Sequence, residues 1–427
     1  MESILIKGGR VIDPLNNIDE QLDVFIANGV IEDIDKRLDH KYDMVIEASG
    51  LIISPGFIDM HIHLRDPGQT HKETIESGAK AAVKGGFTTV VCMPNTFPVN
   101  DNKDITEYII TKSKKLNILN ILPIAAVTEN LSGEKITDIL KLHRTGAVGF
   151  SDDGSTIVRA DIFKEALEKV KKINSIIIEH PEAHQLTGDG IINEGKISKQ
   201  LNVKGIIDIA EDIIVSRDII IQEKVKSNLH LTHLSTKDSY RLVKEAKKRG
   251  VSITTDVTPH HLLLNEEKLI SKDTNFKVKP PLRTEKDRLS MLKGIIDGTI
   301  DCIATDHAPH SDKEKSLGLE KAPFGLIGLE TSFSVLYDKL VKKDIISIKK
   351  LIELMASNPA KILKLKNKGQ IKKGFTADIT IIAPNKKFHF TKNSFISKSS
   401  NSPFLNWEGT GVIAYTIVDG NIKYTHV

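Results

Sequence analysis

At 427 residues the chain is too long for one small core, so two domains or one large barrel with an attachment are expected. Its 40% hydrophobic and 27% charged residues are ordinary for a soluble globular protein, and a net charge of +4 with lysines interleaved among acids speaks against nucleic acid as a partner. No apolar run reaches membrane-spanning length and "MESILIKGGRVIDP" lacks the apolar stretch of a secretion signal, so a cytoplasmic location with no membrane partner is expected. Cys92 and Cys302 both sit in apolar runs and read as buried free thiols.

The first fifty residues read as short strands and turns. "SILIKGGRVID", "QLDVFIANGVIEDID" and "YDMVIEASGLIIS" are punctuated by Gly and Asn, as in hairpins. The far end repeats the pattern in "ADITIIAPNKKFHF" and "GVIAYTIVDGNIKYTHV". Neither end has enough strands to bury a core alone, so the two are expected to pair into a flanking β-sandwich made of 1–53 and 368–427. Between them, over 54–367, come eight strand-like runs: "GFIDMHIHLR", "FTTVVCMPN", "ILPIAAVTEN", "AVGFSDDG", "SIIIEHPE", "LHLTHLST", "VSITTDVTPHH" and "TIDCIATDHAPH". Helical patterns separate most of them. In "DIFKEALEKVKKIN", Phe163, Leu167 and Val170 follow i, i+4, i+7 spacing, and "SYRLVKEAKKRG" stops at Gly250. "SIKKLIELMASNPAKILKL" follows the eighth unit. Eight strands alternating with helices predict an α/β protein with a (β/α)8 TIM barrel. A doubly wound open sheet is the rival, but no Gly-rich phosphate fingerprint supports it.

The strand-like runs end in polar residues. The first ends in His61, His63 and Arg65, the second in Asn95, the fourth in Asp152 and Asp153. The fifth ends in His180, the sixth in His233, and the eighth in Asp306, His307 and His310. In a strand, His61 and His63 point to one face while Ile62 points away. All these ends meet at the C-terminal mouth of a parallel barrel, where active sites of that architecture lie. Each residue has a structural explanation alone: Asp306 as a helix cap, Asp152 and Asp153 as turn formers before Gly154, a single His as a core residue. Four histidines and two carboxylates exceed the needs of one tetrahedral zinc and suit two divalent ions with a bridging carboxylate. Only one of the adjacent Asp152 and Asp153 faces inward in extended chain, and spacing does not choose between them.

"PGFIDMHIHLRDPG", "KETIESGAKAAVKGGFTTVVCMPNT", "TPHHLLL", "PPLR" and "DGTIDCIATDHAPH" resemble class I dihydroorotases of the amidohydrolase superfamily, and the likeness runs through nearly the whole chain. The resemblance implies a zinc-dependent cyclic amide hydrolase holding two Zn2+ ions per subunit. His61, His63 and Asp306 would hold one ion and His180 and His233 the other, with Asp153 as the bridge. Arg65, Asn95 and His310 would grip a substrate carboxylate, and Phe324 and Gly325 would offer main-chain contacts. His63 and Lys279 fall at the same substrate site. The reaction implied is the reversible closure of N-carbamoyl-L-aspartate to L-dihydroorotate in de novo pyrimidine (UMP) biosynthesis, with Asp306 carrying the proton between water and the ring nitrogen. A homodimer and an aspartate transcarbamoylase partner are further expectations.

The chain departs from that pattern at two positions. Lys279 stands where the family commonly has Asn before "PPLR", and Pro181 stands where it often has Cys after the strand-five histidine. An allantoinase or hydantoinase is the nearest alternative; those relatives bridge their metals with a strand-four lysine, and "TGAVGFSDDGSTIVRADIF" has none. A catalytically silent scaffold is the other, but all six ligand positions are filled. His184 sits four after His180, yet Pro181 argues against one continuous helix. His260 and His261 are not assigned as ligands. The polar loop "SDKEKSLGLEKAPFG" is a candidate lid.

Overall fold

The computed structural model describes residues 3–426, so the outermost residues of the two expected β spans, 1–2 and 427, lie outside it. From the N-terminus come β1 (Ile4–Asp13), β2 (Ile18–Ala27), β3 (Val30–Asp35), β4 (Met44–Glu47) and β5 (Ile52–Pro55). The β2–β3 turn is Asn28-Gly29, both at positive φ (53° and 80°), the geometry that a two-residue hairpin with native twist requires. The barrel follows with β6 (Phe57–Ile62), β7 (Phe87–Cys92), β8 (Asn120–Ala125), β9 (Gly149–Phe150) and β10 (Ile177–Glu179). A short parallel pair, β11 (Ile192–Asn193) and β12 (Gly205–Ile206), interrupts it before β13 (Leu229–Leu231), β14 (Thr254–Val257) and β15 (Cys302–Ile303) complete it. The C-terminal strands are β16 (Ile379–His389), β17 (Glu408–Val418) and β18 (Asn421–Thr425).

The eight expected barrel strands are all present and pair in the order β15-β14-β13-β10-β9-β8-β7-β6, every pair parallel. Just past β15 the ring closes: Ile62 bridges His307, and His63 N donates to His307 O at 2.8 Å. Helices cover the outside. The helix Ala160–Lys172 buries Phe163, Ala166, Leu167 and Val170, the stripe its spacing predicts. The helix Lys237–Lys248 is capped by Thr236, which accepts from Ser239 N at 3.0 Å, and Gly250 beyond its end sits at φ +81°. The β11–β12 pair and its flanking turns, which strand and helix periodicity did not indicate, lie within the β10–β13 connection.

The two chain ends do pair. β5 runs antiparallel to β16 (Ile53 opposite Ile381), joining both termini in one sheet ordered β18-β17-β16-β5-β1-β2-β3. β1 branches at a register break between Ile6 and Gly9, pairing β4 with its first half and β5 with its second. The sheet is fastened to the barrel by side-chain donors reaching across: Thr380 Oγ1 to Gly86 O and Thr416 Oγ1 to Val83 O, both 2.6 Å. Phe57, at the foot of β6, stacks on Phe333 with centroids 5.3 Å apart and meets Phe87 edge-on, and all three are buried. Among the described residues no helix is long and apolar enough to cross a membrane. Cys92 and Cys302 are buried free thiols, as expected.

Candidate metal centre and substrate cavity

Asp153 stands at the centre of the mouth. Its Oδ1 is 3.3 Å from His61 Nε2, 3.6 Å from His180 Nδ1 and 3.7 Å from His233 Nε2, and its Oδ2 is 3.5 Å from His63 Nε2. Asp306 Oδ1 adds contacts of 3.5 Å to His61 Nε2 and 3.1 Å to His63 Nε2. The six candidate ligands, drawn from five separate segments, therefore share one buried cluster. Two sets of donors lie close enough to share an ion: His61, His63 and Asp306, and His61, Asp153 and His233. Asp152 points elsewhere: it accepts from Thr128 N at 2.9 Å and from the Thr128 hydroxyl, and so ties the β8 and β9 ends together.

The donor set fits a metal. His61 Nδ1 is 2.8 Å from Thr232 Oγ1, whose own proton goes to Asp256 Oδ2 at 2.9 Å. The threonine oxygen must accept from His61, which leaves the His61 Nε2 lone pair aimed at two carboxylates, and that nitrogen has no hydrogen-bond partner. In the same way Asn95 Oδ1 accepts from His63 Nδ1 at 2.8 Å, and Glu182 Oε2 accepts from His180 Nε2 at 3.0 Å. Lone pairs facing carboxylates repel unless a cation lies between them. Burial alone would lower the His61 imidazolium, yet Asp153 and Asp306 outweigh it and push His61 up to about 9, so the cluster calls for positive charge at that spot. Donors held about 2.0–2.2 Å from a tetrahedral ion lie about 3.3–3.6 Å from one another, close to the separations observed here.

Three residues of this rim hold left-handed backbone although none is glycine: Arg65 (φ 57°), His233 (φ 39°) and Asp306 (φ 48°). That conformation is costly for side chains with a Cβ, and here it coincides with the ends of β6, β13 and β15.

Above the cluster is a cavity of about 380 Å³. His63, Arg65, Asn95, Asp153, His180, His233, Lys279, Asp306, His310, Phe324 and Gly325 all line it, so every expected site residue reaches it except His61, which lies beneath. Arg65 is 9% exposed and has no carboxylate partner among the described residues. It donates only to Pro309 O and His310 Nε2, both at 3.3 Å. Burial pulls its guanidinium down to about 10. Burial, with Arg65 adding to it, also pulls His310 down to about 2, so His310 is a neutral imidazole. With Nε2 accepting from Arg65, its Nδ1 carries the proton and has no hydrogen-bond partner.

Lys279 reaches the cavity but is not free: its Nζ lies 3.0 Å from Glu182 Oε1. Gly325 is likewise committed. Its N–H donates to Lys277 O at 3.0 Å, and its carbonyl accepts from Lys315 Nζ and Asn401 Nδ2. At φ +131°, a Cβ on Gly325 would lie 2.7 Å from Ala308 O and 3.1 Å from His310 Cδ2. Gly325→Ala is therefore expected to displace His310 and raise the substrate KM by about tenfold or more, one lost hydrogen-bonded contact to a charged group being worth that much; steady-state kinetics check it.

Sequence reasoning missed the residues that orient the ligands. Thr232 and Asp256 fix His61, Glu182 fixes His180, and Asn401 receives His310 N at 3.2 Å from the far C-terminal segment. Glu182, two residues after the candidate ligand His180, was the one with a local signal. His184 opens a separate short helix after Pro181 and lies 3.7 Å from Glu182, outside both donor sets. His261 spends its nitrogens on Thr258 and Pro280 O, consistent with no ligand role.

A family model described as dihydro-orotase-like matches residues 50–239. A dihydroorotase of Geobacter metallireducens is 45% identical over 423 residues, covering 99% of each chain. That of Geotalea daltonii is 46% identical over the same length and coverage.

The chain belongs to the dihydroorotase family.

Its fold is shared more widely. An L-hydantoinase from Arthrobacter aurescens superposes with a TM-score of 0.88 at 23% identity, covering 100% of this chain and 98% of that one. A dihydropyrimidinase from Brevibacillus agri gives 0.84 at 21% identity, covering 98% and 94%. At such identities the likeness establishes the barrel with its flanking sheet and leaves substrate choice to the site.

Proposed function

We propose that this protein is a dihydroorotase, interconverting N-carbamoyl-L-aspartate and L-dihydroorotate with two zinc ions per chain. Membership of the family supports the activity, and one feature of the cavity supports the substrate: a buried guanidinium, Arg65, with no carboxylate in ion-pair contact among the described residues, beside a six-donor cluster. Such a group suits the carboxylate that both the open and the closed substrate carry, and no neutral hydantoin or allantoin ring offers one.

His61, His63 and Asp306 would hold one ion, His180 and His233 the other, and Asp153 both. When bound, the pair acidifies water and polarises an amide carbonyl, the two things that amide hydrolysis lacks at neutral pH. The chain does the rest. Arg65, steadied by His310, grips the carboxylate with two parallel N–H donors, and Asn95, held by His63, keeps its Nδ2 for the same anion. In the hydrolytic direction Asp306 would take the proton that water loses as its oxygen bonds to the ring carbonyl carbon, and return it to the ring nitrogen as the C–N bond breaks. Lys279, whose charge is balanced by Glu182, lines the same cavity and would offer a donor to the substrate without adding net positive charge.

In this reading the enzyme serves pyrimidine biosynthesis in the cytoplasm as a homodimer, with an aspartate transcarbamoylase as a candidate partner. The chain would divide near 53/54 and 367/368. The decisive experiment measures ring opening and ring closure together with bound metal, before and after chelation. Chelated protein is expected to lose both directions of the reaction and a measurable part of its melting temperature, and zinc to restore them. A metal-loaded preparation that opens hydantoins but not dihydroorotate would overturn the assignment.

A further inference from the structure

Two more cations stand beside the cavity, outside the site described so far. Lys277 and Lys315 are 3% and 6% exposed, and neither ammonium has a carboxylate partner among the described residues. Both spend their protons on main-chain carbonyls. Lys277 Nζ donates to Leu319 O at 2.7 Å and Glu320 O at 3.1 Å. Lys315 Nζ donates to Pro323 O and Gly325 O, both at 3.0 Å. The lacing runs both ways: Thr274 Oγ1 donates to Lys315 O at 2.6 Å, and Gly325 N donates to Lys277 O. Lys277 Nζ also lies 4.6 Å above the Phe324 ring.

An ammonium buried without a counter-charge opposes folding. Burial lowers the Lys277 ammonium to about 8; burial, with the charge of Lys277 added, lowers Lys315 to about 7. A side chain of similar length without charge would fill the same space more cheaply, so the charge calls for a reason. The carbonyls it reaches supply one. They belong to residues 319–325, and Pro323, Phe324 and Gly325 form one wall of the cavity. With the Pro323 carbonyl and both polar groups of Gly325 engaged, Phe324 is the residue of this tripeptide whose N–H and C=O have no hydrogen-bond partner among the described residues.

We propose that Lys277 and Lys315 are positioning residues: they fix the 319–325 segment so that Phe324 presents a free main-chain donor and acceptor to the N–H and C=O edge of a cyclic ureide. The inference rests on the dihydroorotase reading for its ligand but not for its geometry. The donor and acceptor of a ring amide match a peptide N–H and C=O in antiparallel fashion, and the match needs the peptide held still. Ammonium groups hold carbonyls more firmly than neutral donors do, which accounts for their use here.

The test uses the metal-loaded, full-length enzyme with Lys277→Met and Lys315→Met. Each is expected to raise the KM for dihydroorotate about tenfold while kcat stays within about threefold, because a contact made equally in ground and transition states is lost. Metal content is expected to be unchanged, and proteolytic cleavage within 311–325 to be faster than in the parent. A KM within about twofold of the parent, or a rise in KM accompanied by loss of kcat and of metal, would overturn the proposal. A Met variant that does not fold is replaced by Lys→Gln, read by the same split. Parent enzyme that turns over neither substrate sinks the functional reading, whereas variants no more susceptible to cleavage than the parent sink the positioning role by itself.

Discussion

Asp306→Asn is expected to lower kcat for dihydroorotate hydrolysis by about 10²–10⁴-fold while the protein stays folded and keeps most of its metal. The carboxylate sits at the rim with its Oδ1 3.1 Å from His63 Nε2, and its side chain is turned to the cavity. Burial by itself would raise its pKa, but His61, His63 and His233 reverse this and hold it well below the usual carboxylate range. So weak a base accepts a proton only from a donor that has itself been acidified, and it releases that proton readily to a ring nitrogen. Asparagine preserves shape and one oxygen ligand but has no site for the proton. Five other donors remain for metal. The check is steady-state hydrolysis alongside metal analysis; turnover within about tenfold of the parent would mean that another group carries the proton.

Arg65→Met is the second large effect, and it separates function from stability. The variant is expected to lose about 10²–10³-fold in kcat/KM, equivalent to about 3–4 kcal/mol, mainly through KM. Lysine at this position recovers only part of the loss, because a point charge does not reproduce the two parallel donors of a guanidinium. The melting temperature without substrate is expected to hold or rise. Arg65 is buried with no carboxylate of its own, and its lowered pKa reports that desolvation. A thermal scan without substrate and kinetics with it measure the two halves of the claim. A melting temperature that falls along with unchanged KM would make Arg65 a structural residue.

Much of this was legible because the barrel repeats one rule. Each parallel strand reads as a short apolar run, and each chemically useful residue sits just past its end. His61 and His63 show the rule most clearly, since period two puts them on one face before any neighbour is known. Asp152 and Asp153 show its limit. Alternation says that one faces inward, and only the Thr128 contacts, made across β8 and β9, explain why it is Asp153. The orienting residues were illegible for the same reason. Asp256 acts on His61 through Thr232, and Asn401 acts on His310 from 91 positions away. Such pairings arise when strands close into a ring, and no local period encodes them. The β11–β12 insertion, two strands of two residues each inside the β10–β13 connection, stands outside the repeating strand-and-helix pattern that revealed the equally short β9 and β15.

The pairing of β5 with β16 has a consequence for how the molecule is made. Ile53 meets Ile381, so the sheet cannot close until almost the whole polypeptide has left the ribosome. Until then β5 is an open edge of Ile-rich backbone, an invitation to association with other nascent chains. Contacts so far apart in sequence also make for slow folding. A chain cut short before residue 379 would therefore be expected to aggregate rather than persist as an isolated barrel, even though all six candidate metal ligands lie upstream of the cut.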